Sequence, residues 1–162
     1  MEESQDIKAI NREVWSLCNI KEYDKALVLC NKSMEINPNN PITLGSKGYI
    51  LWRLGRHMEA LRYCNRSLEI DPRNALNLNN KAAILCRIGR QDRALGYYKQ
   101  SLEIDPKLLY ALHGIAITLF QMEKYSEALV YCDRGLKVEP EHAELNEIKH
   151  AISEQLNGMG SP

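Results

Sequence analysis

Ser67–Pro72 reads S-L-E-I-D-P, and the same six residues return at Ser101–Pro106. Variants stand at Ser33–Pro38 (S-M-E-I-N-P) and Gly135–Pro140 (G-L-K-V-E-P). Pro38, Pro72, Pro106 and Pro140 follow one another at steps of 34 residues, without insertion or deletion. A fixed period of this length marks a stack of repeats. Each copy reads as the end of one helix and the start of the next unit. Proline has no backbone N–H and clashes with the turn before it, so the helix closes there. The preceding residue, Asn37, Asp71, Asp105 or Glu139, is pushed toward extended backbone.

Counting back from the prolines divides the chain into repeats 7–40, 41–74, 75–108 and 109–142. Residues 1–6 form an N-terminal extension, 143–157 a last helix that caps the stack, and 158–162 (G-M-G-S-P) a tail expected to be disordered. Within residues 41–74 the first helix carries Leu44, Gly48 and Leu51 at helical spacing. Gly55 supplies the left-handed residue that ends it. The second helix carries Ala60, Leu61, Cys64, Leu68 and Ile70. No segment alternates with a period of two, so the expected fold is an all-α solenoid of helix-turn-helix units.

Equivalent positions form columns. Ala26, Ala60, Ala94 and Ala128 occupy one, and Gly48, Ala82 and Ala116 a second that Val14 interrupts. Leu44, Leu78 and Leu112 continue Ile10, and Leu17, Leu51, Leu85 and Leu119 make another. Large against small at facing positions is how helices reach close packing. In the last helix, Leu145, Ile148, Ile152 and Leu156 share one face, and charged residues take the rest.

The 162 residues suit one domain. Lys and Arg number 21 and Asp and Glu 21, a balance that favours neither nucleic acid nor a membrane surface. No apolar run approaches the roughly 20 residues of a membrane span. The start, M-E-E-S-Q-D, lacks a basic-then-apolar signal pattern, so the cytoplasm is the expected compartment. Five cysteines are an odd number without paired spacing. Three share one repeat position (Cys30, Cys64, Cys132) and two another (Cys18, Cys86), as expected of small apolar packing residues. No metal-ligand spacing, phosphate loop or dinucleotide fingerprint is present, and His57, His113, His142 and His150 fall at unrelated repeat positions. These observations point away from an enzyme and imply no cofactor or metal.

At its columns the chain resembles the tetratricopeptide repeat family, whose 34-residue pattern runs W-x2-L-G-x2-Y, then A-x3-F, then P. Here the second repeat reads Leu44, Lys47-Gly48, Leu51, then Ala60, Cys64 and Pro72. The resemblance covers residues 7–142. It departs at the turn glycine, which is Lys21 in repeat 1 and Glu123 in repeat 4, and at the aromatic position, which is Cys30, Cys64, Tyr98 and Cys132. A pentatricopeptide array, which reads RNA, is a nearby alternative with a 35-residue period.

The resemblance implies a right-handed superhelix whose first helices line a concave groove. Four columns then face the groove: Lys8, Ile42, Leu76 and Tyr110; Asn11, Gly45, Asn79 and His113; Arg12, Ser46, Asn80 and Gly114; Trp15, Tyr49, Ala83 and Ile117. Cys18, Trp52, Cys86 and Phe120 lie at its edge. Small residues such as Gly45, Ser46 and Gly114 are expected to leave depressions between the rings. Repeats 2 and 3 each carry six basic against three acidic residues, and Arg53, Arg56, Arg87 and Arg90 stack into a basic ridge near the hairpin turns. The expected ligand is a protein or peptide segment with acidic and bulky apolar residues. Self-assembly through groove or end faces is the alternative, and RNA binding a remoter one. The chaperone-tail clamp of some family members places its cations where this chain has Asn11, Trp15, Ser46, Leu76 and Asn80, so binding of such a tail is not expected.

Overall fold

The computed structural model describes residues 2–158. Among them are nine α-helices and no strand: α1 (Glu2–Asn19), α2 (Tyr23–Ile36), α3 (Pro41–Arg53), α4 (His57–Ile70), α5 (Ala75–Arg87), α6 (Gln91–Ile104), α7 (Leu109–Gln121), α8 (Tyr125–Val138) and α9 (Ala143–Gly158). Residues 2–6, read as an extension, continue into α1. Gly158 closes α9, and the rest of the expected tail lies outside the described residues.

The second helices end where the prolines demand. Asn37, Asp71, Asp105 and Glu139 leave helical backbone with φ between −126° and −140°, and each still donates its N–H to the carbonyl four residues back. The next first helix is capped by a side chain in three cases: Asn40 Oδ1 accepts from Thr43 N and Asn74 Oδ1 from Asn77 N, both at 3.0 Å, and His142 Nδ1 accepts from Leu145 N at 3.4 Å. The first helices end in a Schellman turn. Gly55 N–H donates to Trp52 O and Arg56 N–H to Leu51 O, at 3.0 and 2.8 Å. Gly55 and Gly89 both adopt φ +77°, and the departures Lys21 and Glu123 hold the same conformation at φ 62° and 60°. A side chain in that region costs about 1–2 kcal/mol.

Hairpin partners pack as α1–α2, α3–α4, α5–α6 and α7–α8, and each first helix also touches the first helix of the next unit, through to α9. Among the described residues no second helix touches another second helix. The first helices therefore form the inner, tighter layer and the second helices the outer one. The alanine column Ala26, Ala60, Ala94 and Ala128 is wholly buried between them. Leu44, Leu51, Leu78, Leu85, Leu112 and Leu119 fill the core beside it. Gly48 lies against Cys64 Sγ and the Ala60 carbonyl, leaving no room for a methyl group.

α9 docks as a fifth first helix, burying Leu145, Ile148 and Ile152 against α7 and α8. Leu156, expected on the same face, is 43 % exposed, because no following helix among the described residues covers it. No described helix is long and apolar enough to cross a membrane.

Candidate partner-binding groove

The inner layer sets four first helices side by side, so residues at one repeat position form a row across it. The outermost row, Ile42, Leu76 and Tyr110, is solvent-exposed, with Lys8 at its start. The two rows beneath are largely buried: Asn11, Ser46, Asn79 and Asn80. His113 is half-buried, and Arg12 is exposed. In the fourth row Trp15 and Ile117 are exposed and Tyr49 half-buried.

At Gly45 and Gly114 the expected depressions are filled. A methyl group on Gly45 would collide with the side chain of Asn77, and one on Gly114 with the ring of Tyr98. Both glycines are small because a residue from the neighbouring helix fills the space. Asn11 is likewise engaged from behind: its Oδ1 accepts from Thr43 Oγ1 at 3.1 Å, and Thr43 Oγ1 lies 2.8 Å from Ser33 Oγ. Ser46 Oγ and Asn79 Oδ1 are buried and have no hydrogen-bond partner among the described residues. Such atoms are costly to leave unbonded.

The rings are gathered at one end. Trp15 and Tyr49 have centroids 5.6 Å apart, and Tyr49 and Trp52 5.8 Å apart. The Arg53 guanidinium lies 5.0 Å from the Tyr23 ring and 5.8 Å from those of Tyr49 and Trp52. Its Nη1 donates to the Tyr49 hydroxyl at 2.9 Å. Burial raises the Tyr49 hydroxyl pKa, and Arg53 opposes that shift. Tyr23, on an outer helix, was not among the groove columns, and its place in this cluster follows from the hairpin turn between α1 and α2. Phe120 packs on Tyr125 at 5.7 Å and joins the core of repeat 4.

The basic ridge is only partly available. Arg56 is held by Glu59 in a two-bond fork, 2.8 Å at each contact. Lys47 bonds Asn31 and lies over Tyr63, and Lys81 lies over Tyr97. Arg53, Arg87 and Arg90 have no carboxylate within 4 Å among the described residues. At the opposite end of the stack, a cleft of about 400 Å³ is lined by Asp105, Lys107, Tyr110, Glu139, His142 and Glu144. Here His113 and His142 face each other at 5.5 Å. Burial, and then His142, lower the His113 pKa, while Glu144 opposes them.

The five cysteines are free, and four are buried. Burial pushes the Cys30 and Cys64 thiols up to about 12 and Cys132 to about 11, so they are unreactive thiols at neutral pH. Among the described residues no cluster of three His, Cys, Asp or Glu side chains could hold a metal ion.

Two tetratricopeptide repeat models match the chain, over residues 39–107 and 108–138. No curated protein matches it. Among solved structures, PilF of Pseudomonas aeruginosa superposes with a TM-score of 0.88 at 16 % identity, over 98 % of this chain and 72 % of its own. A tetratricopeptide repeat protein of Parabacteroides merdae gives 0.70 at 24 % identity, over 95 % of this chain and 61 % of its own. The first such domain of Spaghetti (RPAP3), bound to the HSP90 peptide SRMEEVD, gives 0.69 at 22 %, over 72 % and 93 %. At these identities the likeness speaks for the fold, and the repeat matches speak for the lineage: the chain belongs to the tetratricopeptide repeat family.

Proposed function

We propose that the chain is an interaction scaffold whose concave face receives an extended segment of another protein. The observation that carries this reading is the run of rings from Trp15 through Tyr49 to Trp52 across two successive repeats. Tyr49 and Trp52 each rest one side on the core of the first two repeats, but both stay only half-buried and Trp15 is exposed, so ring surface is left for a partner. Rings offer much apolar area with few torsions to freeze, which suits binding hot spots. Ile42, Leu76, Tyr110 and Ile117 extend the apolar surface along the groove. Arg12, Arg53, Arg87 and Arg90 lie in the first three repeats, while the cleft where repeats 3 and 4 meet α9 is lined by Asp105, Glu139, Glu141 and Glu144 with Lys107. A segment acidic at one end and neutral or basic at the other fits that division and gains in on-rate at low salt.

The solved domain of RPAP3 with its peptide supports the class of ligand, without naming it for this chain. Chaperone tails are outside the proposed ligands, since Asn11, Trp15, Ser46, Leu76 and Asn80 supply no cation for a terminal carboxylate.

The test is selection of a random peptide library on the chain, followed by titration of a selected peptide. Tyr49→Ala should weaken its binding by about 2 kcal/mol, the scale of a hot spot, mostly through faster dissociation. A library that yields no binder would overturn the reading. So would binders indifferent to Tyr49→Ala but sensitive to Tyr63→Ala on the outer layer.

A further inference from the structure

Building on the groove as the binding face, we propose that Arg53 is its carboxylate receptor. The partner segment then carries a glutamate or aspartate where it passes from repeat 1 to repeat 2. The guanidinium is set in place before any ligand arrives. Tyr23, Tyr49 and Trp52 surround it at 5.0–5.8 Å, and the Tyr49 hydroxyl fixes one N–H at 2.9 Å. The Trp15 ring lies against Tyr49, with centroids 5.6 Å apart. Stacking on rings engages the flat faces of a guanidinium and leaves its edge, where the N–H groups point. Arginine has five such donors, and only the one to Tyr49 has a protein acceptor among the described residues.

That edge matches a carboxylate, as the next turn of the same hairpin demonstrates. Arg56 forks onto Glu59 with two contacts of 2.8 Å. Arg53 has no such partner, although Glu22 stands beside Tyr23 in sequence; Glu22 pairs with Lys25 at 3.3 Å instead. Arg87, the equivalent of Arg53 one repeat on, gives an internal control. Its bracket would come from His57, Ala83 and Cys86, so it has no rings to hold it. An arginine already ordered loses less freedom when it binds. Arg53 should therefore fix the position of an acidic residue in the ligand, whereas Arg87 contributes only general attraction.

The experiment selects a random peptide library in parallel on the wild-type chain, Arg53→Gln and Arg87→Gln. Wild type and Arg87→Gln should return peptides with Glu or Asp at one fixed distance from the apolar anchors. Arg53→Gln should lose that preference and keep the anchors. One wild-type peptide is then titrated by intrinsic fluorescence, which reports on the cluster because Trp15 and Trp52 are the two tryptophans of the chain. Arg53→Gln should weaken it about tenfold or more, the scale of a charge-assisted pair, and Arg87→Gln less than about threefold. A peptide with Arg in place of its acid should bind Arg53→Glu better than wild type, which a merely structural Arg53 would not produce. Groove-binding peptides with no acidic preference, or with one that survives Arg53→Gln, would overturn the carboxylate receptor and leave the groove intact. Tighter binding of a phosphoserine peptide than of its glutamate form would overturn it in favour of a phosphate site. Absence of any peptide sensitive to Tyr49→Ala would remove the groove reading itself.

Discussion

The joints between repeats are built twice over, with one backbone plan and two chemistries. At the first joint Ser33 meets Thr43, hydroxyl to hydroxyl at 2.8 Å, with Asn11 behind them. At the second Asn77 Nδ2 donates to Ser67 Oγ at 2.6 Å, and Ser67 donates to the Pro41 carbonyl at 2.7 Å. At the third the same place holds Ser101 and Ala111, and the serine turns to the Ala75 carbonyl at 2.8 Å. At the fourth Gly135 meets Leu145, whose methyl group fills the space a Cβ would need. The sequence of pairs runs from polar to apolar along the stack. Accordingly one continuous apolar cluster runs from Ala82 through Ile152, while the first two repeats hold two smaller ones. Hydrogen bonds fix the register of a joint but add little net stability, whereas burial of a leucine adds much. The N-terminal half should therefore be precisely aligned yet easier to open.

The largest test of this contrast is Leu145→Ala. Leu145 is wholly buried and faces a glycine that cannot fill the hole, so the loss should be about 3–4 kcal/mol in urea unfolding. A cost below about 1 kcal/mol would mean α9 is only loosely docked. Next is Thr43→Val, which keeps the shape but strands Ser33 and Asn11. It should cost about 1–2 kcal/mol, and hydrogen exchange should then speed up in α1–α3 while α7–α9 keep their protection. Equal acceleration throughout would mean that the two halves open as one.

Lys21→Gly and Glu123→Gly should each stabilise the chain by about 1 kcal/mol, since both residues hold left-handed backbone. No gain in melting temperature would mean that contacts of the side chains offset the strain. The smallest effect concerns pH. The His113 pKa is lowered on folding, so the unfolded chain takes up the proton first. Stability from this group is complete above its ordinary value of 6.5 and falls as pH drops through that value toward the folded pKa. His113→Gln should flatten the decline of melting temperature between pH 7 and about pH 5. An unchanged slope would assign the decline to other groups.

Much of this architecture is legible in the chain itself, because a stack repeats its rules. The prolines, the alanine column and the hairpin glycines place the helix boundaries, and the inner rows follow from the period. What one column cannot reveal is the residue that enters from a neighbouring helix. Gly45 reads as a hollow until Asn77, 32 positions away, is seen to fill it. Gly114 is filled by Tyr98 in the same way, and Asn11 gives its Oδ1 to Thr43. Tyr23 stands in no inner row, because it opens the outer helix α2 and meets Arg53 only from that first turn. The ridge reads either as a seat for an acidic segment or as cations paired locally with acids, and Arg56 follows the second course, with Glu59 one helical turn away.

Gly45 also decides how the array can grow. Where Asn77 follows, the unit before it must offer glycine at this place. A second copy of residues 41–74 spliced in after Asn74 meets that condition at both new junctions: Thr43 is shorter than Asn77 against the first Gly45, and the second Gly45 then faces Asn77. A second copy of residues 75–108 does not, since it sets Asn79 where glycine is required. This contact therefore permits the second repeat to be duplicated, lengthening the solenoid by one helix pair at roughly 10 Å per helix layer, and forbids the same of the third.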